Sequence, residues 1–246
     1  MLNRHVVYDR LIVAAALGPL FWQETASAEN IFAIYAGTSF TRNSDLHLTQ
    51  RGTGTDLTVH DVHWDADPFK AAPYYGLRFT HFFDQRPNWG VALDFTHYKM
   101  YAQTDRGVSV KGTWKGTAVD SSARMDQYVQ HFEISHGVNM LSLNGIYRWL
   151  NPFFDGRLQP YAGAGLAYYR PHSENTVDNI SHETGYQPSG FGYQLMGGVQ
   201  YRLSRQWGVF AEVKFNSGTA KVDIADGRAE TSLRTFHALG GIHYRF

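Results

Sequence analysis

The chain has no cysteine, so disulfides and thiolate chemistry are both excluded. It has no surplus charge of either sign, with 22 Lys+Arg against 22 Asp+Glu. That balance argues against a partner held by electrostatics alone, nucleic acid above all. Long apolar runs are missing too. Residues 11–22 form an apolar stretch that is too short to cross a bilayer as a helix, and no other run comes near the required length. Mean hydropathy is negative, at -0.36. What the chain does have is rings and glycine: 16 Phe, 15 Tyr, 6 Trp and 24 Gly. Membrane barrels with aromatic girdles use this mixture, but a soluble β-sandwich could share it, so the residue-by-residue alternation must decide.

Residues 1–28 carry the features of an export signal. Arg4 and Arg10 precede or open the apolar run, and Ala26-Ser27-Ala28 is a small-x-small cleavage pattern. An N-terminal anchor or a buried helix is the alternative. Cleavage after Ala28 leaves 246 − 28 = 218 residues, expected to form one domain, 29–246.

The strongest periodic signal is at the end of the chain. Phe236, Ala238, Gly240, Ile242, Tyr244 and Phe246 alternate with His237, Gly241, His243 and Arg245. A period of two puts the two sets on opposite faces of a strand. The same rhythm recurs upstream. Residues 30–41 set Phe32, Ile34, Ala36 and Phe40 against Tyr35, Gly37 and Ser39, and residues 73–83 set Tyr75, Leu77 and Phe79 against Arg78 and Thr80. Further strands are expected at 89–101, 134–149, 160–170, 189–203 and 207–216, closing with 231–246. The connections alternate: short ones at 84–88, 150–159 and 204–206, and long ones at 42–72, 102–133, 171–188 and 217–230. An up-and-down barrel with short turns at one end and long loops at the other has this rhythm. The predicted fold is therefore all-β, an eight-stranded antiparallel transmembrane barrel. The terminal aromatic resembles the C-terminal signature of bacterial outer-membrane proteins, which implies outer-membrane localisation and the outer-membrane assembly machinery as a partner.

On that topology Arg78, Asp94, Arg148, Arg202, Glu212, Lys214 and Arg245 face inward and can pair across the lumen. Facing lipid at mid-bilayer, each would cost about 2–4 kcal/mol. Eight strands enclose a space that side chains fill, so an open pore is not expected.

Histidine is the uneven residue, with twelve in the chain. His97, His136 and His172 fall near the loop end of their strands, and His47, His60 and His63 lie in the first long connection beside Asp45, Asp56, Asp61 and Asp65. Imidazoles and carboxylates gathered at one rim suit proton transfer near neutral pH or a divalent ion. His97 and His136, with Glu133, are the candidate catalytic groups; His60, Asp61 and His63 are the candidate metal ligands. Residues three apart point to opposite faces of a straight strand, so His60 and His63 can share an ion only where the chain turns. Solvated loop histidines are the plainer reading. His237 and His243 are expected to fill the lumen, and His81 to be structural. Ser135 beside His136 has the wrong geometry for a nucleophile and its base, since adjacent strand residues face opposite ways.

Several segments resemble the rhizobial lipid A oxidase group of outer-membrane barrels: SDLHLTQ at 44–50, DLTVHDVHWD at 56–65 and PYYGLR at 73–78. So do WGVALDFTHYKMYA at 89–102, FEISHGVNMLSLNGIYRW at 132–149 and PYAGAGLAYYRPH at 160–172. The resemblance implies oxygen-dependent oxidation of the proximal glucosamine of lipid A to an aminogluconate, with peroxide as by-product and a divalent metal cation assisting. It brings no established set of catalytic residues. The alternatives are a non-enzymatic barrel with a surface-binding or structural role, and an acyltransferase or deacylase.

Overall fold

A computed structural model describes residues 28–246 apart from 71 and 152; the expected export segment lies outside the described residues save for Ala28. The strands are β1 (Glu29–Thr41), β2 (Ser44–Gln50), β3 (Thr55–Val62), β4 (Trp64–Asp65), β5 (Tyr75–Phe83), β6 (Arg86–His97), β7 (Met100–Ala102), β8 (Gly107–Trp114) and β9 (Thr117–Arg124). They continue with β10 (Val129–Ile134), β11 (Met140–Arg148), β12 (Leu158–Tyr169), β13 (Glu174–Val177), β14 (Ile180–Glu183), β15 (Gly190–Arg202), β16 (Trp207–Ile224) and β17 (Gly227–Arg245).

Eight of these make the expected closed barrel, in the order β1-β5-β6-β11-β12-β15-β16-β17, with β1 paired back to β17. Every barrel pairing is antiparallel. The alternation fixes the faces. Leu93, Leu143, Leu166 and Val213 point out and are half-exposed or more, as side chains meeting lipid must be. At the short-turn end Trp89, Tyr147 and Trp149 stack edge to face, as do Trp207 and Tyr244. At the other end Phe40 pairs across from Phe236, and Phe236 from Phe215, with the last two rings 4.8 Å apart.

The lumen holds the predicted ions. Arg78 donates to both oxygens of Glu212, at 2.7 and 2.6 Å, and Lys214 Nζ donates to Asp94 at 2.6 Å. The Tyr35 hydroxyl donates to Asp94 at 2.7 Å, and the Tyr161 hydroxyl to Glu212 at 2.6 Å. A side chain at residue 76 would collide with the Tyr35 ring, so glycine there lets the phenol lie across the wall. At the short-turn end Glu29 pairs with Arg148 and with Arg245. His237 and His243 are buried inside, as expected, and His81 meets Asn30 at 2.9 Å. The cylinder is plugged by its own side chains.

The long connections are not loops. β16 and β17 have 18 and 19 residues, whereas a bilayer needs about 9–11 in a tilted strand. Their excess projects beyond the barrel as a hairpin. The projecting half of β17 pairs with β2, and the sheet continues through β3, β8 and β9. A second sheet, β14-β13-β10-β7-β4, faces it. Between them lies an apolar core that includes Leu46, Leu48, Leu57, Val59, Met125, Phe132, Ile134 and Val222. The outer end is therefore a two-sheet sandwich standing on the barrel. The expected strand over 134–149 divides accordingly. Ile134 belongs to β10 in the sandwich, and a break with positive φ at Gly137 and Asn139 separates it from β11. Likewise β6 stops at His97, and Met100–Ala102 joins the second sheet.

Candidate functional site at the outer rim

The second sheet has a regular register on its solvent face. Tyr101 sits opposite Asp65 on one side and Glu133 on the other. Glu133 sits opposite Glu174, and Glu174 opposite Glu183. Cross-strand partners share a face, so one row crosses all five strands: Asp65, Tyr101, Glu133, Glu174, Glu183. Their neighbours Trp64, Met100, Phe132 and Ile134 turn the other way, into the sandwich core. Like charges directly opposite one another are destabilising. The row stands only with cations or imidazoles around it.

Those groups are present. His131 Nε2 lies 3.3 Å from Glu133. His136 Nδ1 lies 3.0 Å from Glu174, whose same oxygen accepts from the Ser135 hydroxyl at 2.7 Å. His172 Nε2 lies 3.5 Å from Glu183. The rings of His136 and His172 are 4.3 Å apart, and the Tyr186 hydroxyl donates to the His136 carbonyl at 2.9 Å. Among the described residues, His136, His172 and Glu183 are the set of three whose ligand atoms all lie within 4.8 Å of one another. The His172 Nε2 atom is buried with no hydrogen-bond partner. Burial and the neighbouring Glu133 push the Tyr101 hydroxyl up to about 12, so it stays protonated beside the carboxylates. Burial lowers the pKa of Lys99 in the same neighbourhood, with Lys70 as the next cause.

Local sequence accounts for the arrangement. β13 and β14 form a two-residue hairpin across Asp178-Asn179, both with positive φ (55° and 61°), the backbone that tight hairpin turns require. That hairpin brings Glu183 back beside Glu174. The His172 amide donates to Gly137 O at 3.2 Å, tying the segment after β12 to the break after β10.

His97 sits directly beneath this break. Its Nδ1 meets Asn139 at 2.7 Å, its ring stacks on Tyr75 with centroids 5.0 Å apart, and its Nε2 is buried without a partner. A Cβ at Gly137 would overlap the imidazole, so the glycine makes room for it. Of the expected catalytic groups, His97, His136 and Glu133 thus belong to one side of the rim. The expected metal ligands behave differently. His60 Nδ1 meets Asp45 at 2.9 Å, while His63 Nδ1 meets the Asp61 carbonyl at 3.0 Å and Asn43 bridges Asp61 and His63. Asp61 takes a positive φ of 56°, which supplies a turn, but the three side chains do not gather their ligand atoms into one group. Glu174 and Glu183 are not among the residues that the sequence pattern singles out. The Asp-Asn pair between Val177 and Ile180 is the signal that would have found them.

A family model described as "Outer membrane protein beta-barrel domain" matches residues 13–246. The chain belongs to that family. It is a protein of the bacterial outer membrane, and the apolar belt of its barrel is the lipid-facing surface. Among solved structures it is similar to the outer membrane protein OprG from Pseudomonas aeruginosa, at 15% identity and TM-score 0.50, over 90% of this chain and 97% of that one. Neisserial surface protein A (12% identity, TM-score 0.44, 89% and 99% covered) and the outer membrane protease OmpT from Escherichia coli (10%, 0.41, 91% and 98%) are also similar. At these identities the likeness concerns fold alone. No curated protein matches the sequence.

Proposed function

We propose that this barrel is a lipid A-modifying enzyme of the outer membrane, an oxidase that converts the proximal glucosamine to an aminogluconate. The supporting observation is position. His136, His172, Glu174 and Glu183 lie on the outside of the rim, with His97 buried just beneath them, above the lipid-facing rings of Tyr75, Tyr168 and Phe191, where the sugar headgroup of an outer-leaflet lipid sits. The filled lumen leaves no route for chemistry through the barrel. Exposed Arg170, whose guanidinium donates to the Tyr186 carbonyl at 3.3 Å, adds positive charge for a phosphorylated headgroup.

The chemistry asks for a base at the anomeric hydroxyl. As that hydroxyl loses its proton, C1–H leaves with its electron pair; O2 accepts two electrons and two protons and becomes peroxide, and water opens the resulting lactone. His97 and His136 are the bases in this reading, and Glu133 holds the proton balance through His131. The divalent cation that the resemblance implies suits the donor set of His136, His172 and Glu183, and would supply polarisation of oxygen ligands. Lipid A is the partner, and the outer-membrane assembly machinery delivers the barrel to it.

Mass spectrometry of lipid A from cells with and without the gene tests this. One added oxygen on the sugar is expected with the wild-type protein, and loss of that addition in His97→Ala and His136→Ala. Lipid A of identical mass in both strains would sink the enzymatic reading and leave a non-enzymatic barrel, whose folded outer sandwich offers a binding surface. A change in acyl mass instead would point to an acyltransferase or deacylase.

A further inference from the structure

We infer that the solvent face of the second sheet holds a first-row transition metal ion, with His136, His172 and Glu183 as ligands and Glu174 as the residue that positions His136. The inference rests on the reading above only for what the ion is used for. Its own support is twofold: the convergent ligand atoms, and a register that forces Glu133, Glu174 and Glu183 into one row. Glu133 has His131 beside it, but Glu174 and Glu183 stand directly opposite one another and repel, and a divalent cation held by Glu183 offsets that repulsion.

The donor set selects the kind of ion. Calcium and magnesium prefer all-oxygen cages, whereas two imidazoles and one carboxylate suit zinc, iron, cobalt or nickel and leave coordination positions open. The environment also fits. Metal-bound histidine commonly gives its other ring nitrogen to a carboxylate, which sets the tautomer. Glu174, 3.0 Å from His136 Nδ1 and itself held by Ser135, fills that role. The His172 Nε2 atom, buried and without a hydrogen-bond partner, is the feature an ion would explain directly.

The test titrates Co2+ into the full-length barrel purified in detergent, reading d–d absorption and calorimetry. One equivalent is expected, displaced by Zn2+ and not by Mg2+. His172→Ala and Glu183→Gln should each weaken binding by at least about tenfold, and Glu174→Gln by about 10–100-fold. His47→Ala, in the same outer domain but paired with Asp56, should bind as wild type. Heat-modifiable migration checks that each variant is folded. Absence of stoichiometric Co2+ binding, or binding indifferent to both His172→Ala and Glu183→Gln in folded protein, overturns the site. Metal bound with lipid A unchanged would retain the site and remove the oxidase.

Discussion

β16 makes the comparison between barrel and sandwich within a single strand. Along its lower half the inward face carries Glu212, Lys214 and Asn216 above a single buried ring, Phe210, and the outward residues Val209, Val213 and Phe215 are apolar. Along its upper half the same inward face carries Ala220, Val222 and Ile224, all buried, while the outward face carries Ser217, Thr219, Lys221 and Asp223. β17 reverses at the matching level: Asn216 pairs with Thr235 and Ser217 with Arg234. Nothing in the backbone changes there; the hairpin stays in register throughout. What changes is the solvent. Below the reversal the outside is hydrocarbon and the enclosed space must satisfy polar groups. Above it the outside is water and the enclosed space is driven by apolar burial. The reversal falls next to the Phe215–Phe236 ring contact, where the outer face of the membrane is expected.

Breaking the polar interior of the lower half should destabilise the barrel most. Lys214→Met leaves Asp94 fully buried and deprived of its 2.6 Å ammonium partner, with Arg78 at 3.4 Å as the remaining cation. Removing one partner of a buried pair costs about 3–5 kcal/mol. The shift should be read as a lower urea midpoint for barrel unfolding, followed by heat-modifiable migration. A midpoint like that of wild type would mean the lumen network contributes little.

A smaller effect is expected from charging the lower outside. Val213 is 64% exposed between the two rings of aromatics. Val213→Arg should destabilise the barrel by about 2–4 kcal/mol, as arginine near mid-bilayer does, and the same urea titration in lipid vesicles measures it. Weakening that vanishes when vesicles are replaced by an aqueous surfactant too short to form a hydrocarbon layer would assign the effect to lipid.

The barrel is legible in the sequence because each membrane strand keeps a period of two and every second connection between them is short. The faces of β1, β12 and β17 follow directly from that alternation, and so do the lumen charges. The sandwich was opaque for the reason the comparison supplies. Read with the rule that apolar residues face outward, residues 217–230 lose their pattern at Ser217, although the period of two continues with its faces exchanged. The short strands β4, β7, β13 and β14 have too few residues for periodicity to register. The rim histidines could be counted to one end from topology alone. Which of them meet could not, because the hairpin that sets Glu174 beside Glu183 is local, but its docking against Glu133 joins segments far apart in sequence. His60 and His63 drew notice by their spacing, yet their neighbours Asp45 and Asn43 occupy them.

Thr219 lies on the same strand and the same face as Val213, six residues on. Arginine carries the same charge at both positions, and both sites pair with β17, Val213 with Ala238 and Thr219 with Ser232, while Val213 is also paired with Gly197 of β15. Above the reversal the guanidinium stays in water, so Thr219→Arg should change stability by no more than about 0.5 kcal/mol. If it instead destabilised as much as Val213→Arg in vesicles, hydrocarbon would extend past Ser217. The exchange of faces would then reflect a partner covering the sandwich rather than the edge of the bilayer.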